Sequence, residues 1–468
     1  MTDQTFSPDL ASLRRHRVPD WFKDAKLGIF LHWGPYSIPA FAPTGRSIHE
    51  RDPGGSPFAN NPYAEWYWNS MRFEGSPTAE HHARTYGDMP YRAFGPMFES
   101  ALANWSPDAW ADQFARTGAG YVVLTAKHHD GFLLWPSATP NPHLPDWGVR
   151  RDVVGELAAA VRARGLRFGI YYSGGIDWTF KNPRIDRVRT MIASVPGDAE
   201  GYTAYAEAHF LELIERYRPD YLWNDIAYPS HESFLRVAAA YYNAVPDGLI
   251  NDRWMTPEAL ASLPKAEKPE GVAGMLPPEP PHWDIRTPEY AMFDRLLPFD
   301  WESTRGVGKS FGYNAEETEA DLIAAPELIR MVATAACFNG NVLLNLGPRG
   351  DATLDPMQVA RVEALGAFLR GSGEAILGTR AVALDGAAPA GPRVGATRRA
   401  DAIYLHLLET PASPAVELPL PAGVEVADAV LLDGSAVRWT QRGGALSLGV
   451  PAWPDAPTQI VRLALRSG

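Results

Sequence analysis

A short apolar run that stops at a carboxylate constrains this chain more than any other feature. Tyr221-Leu222-Trp223-Asn224-Asp225 follows the helix-like segment Tyr202 to Tyr217 and ends abruptly in polar residues. A continuous apolar run after a helix reads as a strand buried on both faces. In a parallel barrel, such strands deliver their polar ends to one rim, where chemistry collects. Asp225 is therefore a candidate catalytic carboxylate, weighed against the plainer duty of capping the next helix.

The same pattern recurs along the chain. Lys26 to Trp33 ends in His32-Trp33-Gly34, Tyr121 to Thr125 leads into Lys127-His128-His129-Asp130-Gly131, and Arg167 to Tyr172 runs into Ser173-Gly174-Gly175. Leu249 to Asn251, the region around Trp283 to Arg286, Phe299 to Glu302 and Val342 to Leu346 bring the total to about eight strand candidates, as a barrel requires. Helix signals fall between them. Ser106-Pro107-Asp108 opens one that stops at Gly118, and Asp152 caps Val153 to Arg164 with Gly165 as its stop. No Gly-x-Gly-x-x-Gly fingerprint follows a strand, which disfavours a dinucleotide fold. The expected fold class is α/β, a (β/α)8-like barrel over residues 1–376. Pro39 to Tyr91 reads as one long, ordered, aromatic-rich loop covering something. After Leu377 the texture changes to Ala402 to Leu408, Val416 to Leu418, Val424 to Leu432, Leu446 to Val450 and Ile460 to Leu465, separated by turn residues. That pattern predicts a C-terminal antiparallel β-sandwich domain over residues 377–468.

Composition narrows the partners. A formal net charge of -12 argues against nucleic acid and against anionic membrane surfaces, leaving neutral small molecules. Fifteen Trp and 18 Tyr offer faces on which sugar rings can lie. The single cysteine, Cys337, allows neither an internal disulfide nor a thiolate metal cluster, and reads as a small buried apolar residue. Met1 to Arg17 lacks the apolar core of a secretory signal, and no run is long enough to span a bilayer. The expectation is a cytoplasmic protein, or a periplasmic or secreted one if a signal was removed.

Three groups of residues could carry chemistry. His128-His129-Asp130 invites a metal, with His32 as a third imidazole. Neighbouring residues on an extended segment point opposite ways, however, so hydrogen bonds to substrate hydroxyls suit them better. Glu65-Trp66 joins a carboxylate to a stacking ring, which suits a sugar. Glycoside hydrolysis needs two carboxylates. Asp225 is a candidate for one, and the later rim carboxylates Asp252, Asp284, Glu289 and Glu302 are candidates for the other; sequence distance alone does not choose among them.

At these residues the chain resembles the α-L-fucosidases of glycoside hydrolase family 29. The resemblance spans about residues 20–380 and is carried by motifs in order: Lys26-Leu27-Gly28-Ile29-Phe30-Leu31-His32-Trp33-Gly34, Glu65-Trp66-Tyr67, Tyr121 through Phe132, Arg151 through Leu157, Leu222-Trp223-Asn224-Asp225, Asn251-Asp252-Arg253-Trp254, Ser310-Phe311-Gly312-Tyr313 and Asn341 through Pro348. It implies a barrel followed by a sandwich and a retaining, exo-acting hydrolysis of terminal fucose from fucosylated oligosaccharides or glycosides. No metal or cofactor is implied, and homo-oligomers are a possibility. By resemblance Asp225 is the nucleophile, and Glu289, in Thr287-Pro288-Glu289-Tyr290, is the acid/base. His32, Glu65, Trp66, His128, His129, Tyr171, Trp223 and Arg253 are assigned to the fucose pocket, with Phe311 beside the sugar's methyl group. The stretch Met255 to Pro281 lengthens the interval between the two carboxylates relative to compact relatives, and it holds Glu267, Glu270 and Glu279 as rivals to Glu289. From another class, the alternative is a fucose-binding protein without hydrolysis.

Overall fold

A computed structural model describes residues 5–45, 56–263, 276–384, 394–411, 413, 415–449 and 457–466. Seven strands, β1 (Leu27–Leu31), β2 (Tyr121–Lys127), β3 (Arg167–Tyr172), β4 (Tyr221–Asn224), β5 (Leu249–Ile250), β6 (Trp301–Gly306) and β7 (Gly340–Leu346), form one parallel sheet in the order β5-β4-β3-β2-β1-β7-β6. β1 lies between β2 and β7, with Gly28 opposite Tyr121 on one side and Leu343 on the other.

Alternation along each strand creates two cores. Leu27, Ile29 and Leu31 of β1, Val122 and Leu124 of β2 and Leu222 of β4 face outward. They pack with residues of the helices Pro107–Arg116, Val153–Ala163, Tyr202–Tyr217, His231–Ala244, Ala325–Cys337 and Pro356–Ser372. Phe30, Tyr121, Val123, Tyr171, Trp223 and Leu343 face inward and fill a separate cluster. Because the side-chain period is two, the next inward positions beyond Phe30, Tyr171 and Trp223 are His32, Ser173 and Asp225. The polar rim thus follows from strand phase. The helix starts read from sequence are also present: Ser106 accepts from the Ala109 N–H at 3.2 Å and Asp152 from the Gly155 N–H at 2.9 Å.

Two expectations need correction. The eighth strand is not a strand. The segment from Asp284 to Tyr290 lies between β5 and β6 but pairs only through isolated bridges, Arg286 with Trp301 and Glu289 with Thr304, plus one backbone hydrogen bond to Ile250. Pro288 removes a ladder donor there, so the expected barrel-like fold is present as a curled half-barrel of seven strands. The long first loop also contains structure. Pro77–Tyr86 is a helix with Ser76 accepting from the Ala79 N–H at 3.1 Å, a capping signal obscured by the aromatic-rich surroundings. Residues 46–55 of that loop lie outside the described residues.

The C-terminal strands are β8 (Arg380–Ala381), β9 (Val394–Arg399), β10 (Ala402–Leu407), β11 (Ala415–Pro419), β12 (Val426–Leu431), β13 (Trp439–Arg442), β14 (Ala445–Gly449) and β15 (Gln459–Leu465). They form two antiparallel sheets, β12-β15-β10-β9-β8 and β11-β14-β13. Ile403, Leu405, Val461 and Leu463 of one sheet pack with Val416, Leu418, Leu446 and Leu448 of the other. β8, β9 and β13 escape the sequence reading because they are short or mostly polar; Val450 lies outside the described residues. The larger sheet sits on the helix Ala325–Cys337. Gly395 lies so close that a Cβ there would fall 2.4 Å from that of Cys337. Thr397 Oγ1 donates to the Ala375 carbonyl at 2.6 Å. Among the described residues no helix is long and apolar enough to cross a membrane.

Candidate active site

Two asparagines lock the rim of β4 to that of β5. Asn251 Nδ2 donates to the Asn224 carbonyl at 2.7 Å, and the Asn224 N–H donates to Asn251 Oδ1 at 3.1 Å. Asn224 Nδ2 also reaches the Arg253 carbonyl at 2.7 Å, which fixes Arg253 beside Asp225. Arg253 then spans two carboxylates. Its Nη1 is 3.0 Å from Asp225 Oδ1 and its Nη2 is 3.1 Å from Glu289 Oε2. Burial pulls the guanidinium's pKa down, but the charges of Asp225 and Glu289 outweigh it and hold the pKa above its ordinary value. The indole of Trp223 lies 4.6 Å beneath it.

Asp225 is held from two further sides. Tyr171 donates to Oδ2 at 2.7 Å and the Ile226 N–H donates to Oδ1 at 2.8 Å, while His129 Nε2 lies 3.9 Å from Oδ2. The next residue, Ile226, has φ 67°, and Tyr290, after Glu289, has φ 50°. Left-handed backbone is costly for a β-branched residue such as Ile226 and for a bulky one such as Tyr290, so each carboxylate sits beside a strained link held by its surroundings. Glu289 is placed by the irregular eighth segment: the Thr304 N–H donates to the Pro288 carbonyl and the Tyr290 N–H to the Thr304 carbonyl, both at 2.9 Å. Tyr63 donates to Glu289 Oε1 at 2.9 Å.

The imidazoles resolve into hydrogen-bond roles. Asn345 Nδ2 donates to the Phe311 carbonyl at 2.6 Å, which turns Asn345 Oδ1 toward His32 Nδ1 at 2.7 Å. His32 therefore carries its proton on Nδ1 and presents Nε2 as a bare acceptor. Ser173 uses its one proton on the Ile176 carbonyl at 2.7 Å, so its oxygen accepts from His129 Nδ1, also at 2.7 Å. His129 Nε2 is then a bare acceptor facing an Asp225 oxygen, a pair that needs a donor between them. Burial lowers His32 to about 4 and holds His128 and His129 well below the usual range, so all three are neutral. The buried Nδ1 of His128 has no partner among the described residues. Burial raises Glu65 to about 8, although the Gly312 N–H donates to it at 2.7 Å.

All eleven residues assigned to the site from sequence line one cavity of about 1070 Å³: Asp225, Glu289, His32, Glu65, Trp66, His128, His129, Tyr171, Trp223, Arg253 and Phe311. Tyr172, next to Tyr171, faces the outer core and bonds His209 at 3.0 Å. The other carboxylates are occupied elsewhere. Asp130 turns to the Tyr91 hydroxyl at 2.7 Å, so it does not converge with its two histidines. Asp252 lines the cavity, but it accepts from Arg286 Nε at 2.6 Å and Thr287 Oγ1 at 2.5 Å. Asp284 accepts from Tyr242 at 2.9 Å and the Ile250 N–H at 2.8 Å. Glu302 is buried in the sheet interior between the hydroxyls of Tyr121 and Tyr221, far from the rim. Glu267 and Glu270 lie outside the described residues, and Glu279 reaches out to Arg286 with its side chain 63% exposed. Sequence reasoning missed Tyr63, Ser173 and Asn345. Asn345, an amide near the C-terminal end of an apolar strand, was the most visible of these.

Neutral imidazoles, stacking rings and two carboxylates on one arginine, at the C-terminal rim of a curled parallel sheet, define a glycoside hydrolase. A family model described as Alpha-L-fucosidase matches residues 1–374, and the chain belongs to that family, glycoside hydrolase family 29. It is 28% identical to tissue alpha-L-fucosidase of Rattus norvegicus over 449 residues, covering 93% of this chain and 86% of the relative. It is 31% identical to plasma alpha-L-fucosidase of Homo sapiens over 393 residues, covering 80% and 72%. A crystal structure of Thermotoga maritima alpha-fucosidase in complex with a mechanism based inhibitor superimposes with a TM-score of 0.80 at 36% identity, covering 98% of this chain and all of that one. The protein is a fucosidase, and its substrates are fucosylated.

Proposed function

We propose that this chain is an exo-acting, retaining α-L-fucosidase in which Asp225 is the nucleophile and Glu289 the acid/base. The observation that carries this reading is the single arginine bridging the two carboxylates inside one cavity. Arg253, Tyr171 and the Ile226 N–H stabilise an ionised Asp225 and aim it. In the first step an Asp225 oxygen attacks the anomeric carbon as the bond to the leaving oxygen breaks, and Glu289 gives that oxygen a proton. In the second, Glu289 takes a proton from water, which attacks the same carbon and frees Asp225.

The remaining groups suit a deoxyhexose. The bare Nε2 atoms of His32 and His129 accept from sugar hydroxyls, one of which supplies the donor missing between His129 and Asp225. The Phe311 ring offers an apolar surface for a methyl group where other hexoses carry a hydroxyl. Support also comes from the Thermotoga relative, whose complex is with a mechanism based inhibitor. Asp225→Gly should lose at least about a thousandfold in kcat on an aryl α-L-fucoside. Added azide should restore turnover and yield β-fucosyl azide. Undiminished hydrolysis by this variant, or an α-azide product, would overturn the reading.

A further inference from the structure

The cavity has two ends of unlike chemistry. Around Asp225 and Glu289 it is dense with histidines, hydroxyls and indoles. Its outer end is walled by two short helices, Val188–Ala193 and Pro257–Ser262, which pack against one another. Val188, Met191, Ile192, Leu260 and Leu263 line this end, and Arg189 and Glu258 are the polar side chains these walls contribute. Among the described residues, the two helices bring no aromatic ring, hydroxyl or amide side chain to the lining. Val188 and Leu263 are 59% and 43% exposed, two of five large apolar side chains left exposed among the described residues.

Apolar side chains kept in water at the mouth of a cavity mark a binding surface. A second sugar would need partners for its hydroxyls and a ring to stack upon; these helices offer two charged side chains, Arg189 and Glu258, and no aromatic ring, while five apolar side chains dominate the wall. The volume of about 1070 Å³ leaves ample room beyond one deoxyhexose. Because inner and outer ends are one cavity, a group departing from the anomeric carbon enters the apolar part. Building on the fucosidase reading above, we infer that the outer end is a leaving-group subsite for apolar alcohols, alkyl or aryl, in preference to a second sugar.

Kinetics of the full-length enzyme on methyl α-L-fucoside, n-hexyl α-L-fucoside and α-L-fucosyl-(1,2)-galactose test this. The methyl and hexyl leaving groups differ little in acidity, so their ratio reports contact with the apolar wall. We expect kcat/KM for the hexyl fucoside to exceed that for the methyl fucoside by at least about tenfold, equivalent to about two methylenes leaving water. It should also exceed that for the disaccharide. In the double variant Val188→Ser/Leu263→Ser the hexyl-to-methyl ratio should fall severalfold. A wild-type ratio near one, or a preference for the disaccharide, overturns the subsite whatever the variant does. Release of fucose from none of the three overturns the fucosidase reading, and this proposal with it.

Discussion

Asp225 and Glu289 are neighbours in space because of residues that do no chemistry. The asparagine pair Asn224–Asn251 and the bridge of Arg253 fix their relation, and Tyr63 holds the other oxygen of Glu289 with its 2.9 Å hydrogen bond. In the proposed mechanism Tyr63 is a positioning residue for Glu289. Tyr63→Phe should cost roughly tenfold in kcat/KM on an unactivated fucoside, the scale of one hydrogen bond. An aryl fucoside with a good leaving group, which needs little proton donation, should lose far less. Equal losses on both, or a rise in KM alone, would remove Tyr63 from that role. Asp225 was legible in the sequence because it ends an apolar run. Tyr63 was not, since its partner is 226 positions away and only folding brings them together.

At the scale of the element, strand phase explains most of the site. Inward positions run from packing residues to polar ones, Phe30 to His32, Tyr171 to Ser173 and Trp223 to Asp225, so apolar runs closed by polar residues were a usable signal. That signal failed for the segment from Asp284 to Tyr290, where Pro288 and side chains committed to lateral bonds leave a path with no period-two pattern. The rim also depends on close backbone contact after β3. A Cβ on Gly175 would lie 2.5 Å from the Ala227 nitrogen, and the Gly175 N–H donates to the Asp225 carbonyl at 3.2 Å. Gly175→Ala should therefore push the Asp225 loop away, destabilising the fold by about 1–3 kcal/mol and lowering kcat/KM at least about tenfold. Denaturant unfolding and kinetics check this, and wild-type values in both would contradict the packing.

At the scale of the whole molecule, the sheet interior carries a pH dependence. Burial raises the Glu302 carboxyl to about 8 from an ordinary 4.5, despite donated hydrogen bonds from Tyr121 and Tyr221. Between those values the folded chain holds a proton that the unfolded chain releases. The contribution of Glu302 to stability is thus complete below about pH 4.5 and lost as pH rises through about 8. Glu65, also raised to about 8, acts in the same direction. The melting temperature should fall from pH 5 to pH 8 more steeply in the wild type than in Glu302→Gln; parallel curves would refute the assignment. Neither effect was readable from sequence, where Glu302 resembled a rim carboxylate, because strand boundaries decide which end of the sheet a residue occupies. The change of texture after Leu377 did reveal the antiparallel domain. Its seat on Ala325–Cys337 needed the structure, since Gly395 is indistinguishable from a turn glycine until Cys337 is beside it.

The central claim is that Asp225 forms a covalent bond to fucose. Incubation with a 2-deoxy-2-fluoro-fucosyl fluoride, followed by proteolysis and mass spectrometry of the labelled peptide, tests it most directly. The account predicts stoichiometric inactivation with the sugar on Asp225. A label on Glu289, Glu65 or any other residue would contradict it.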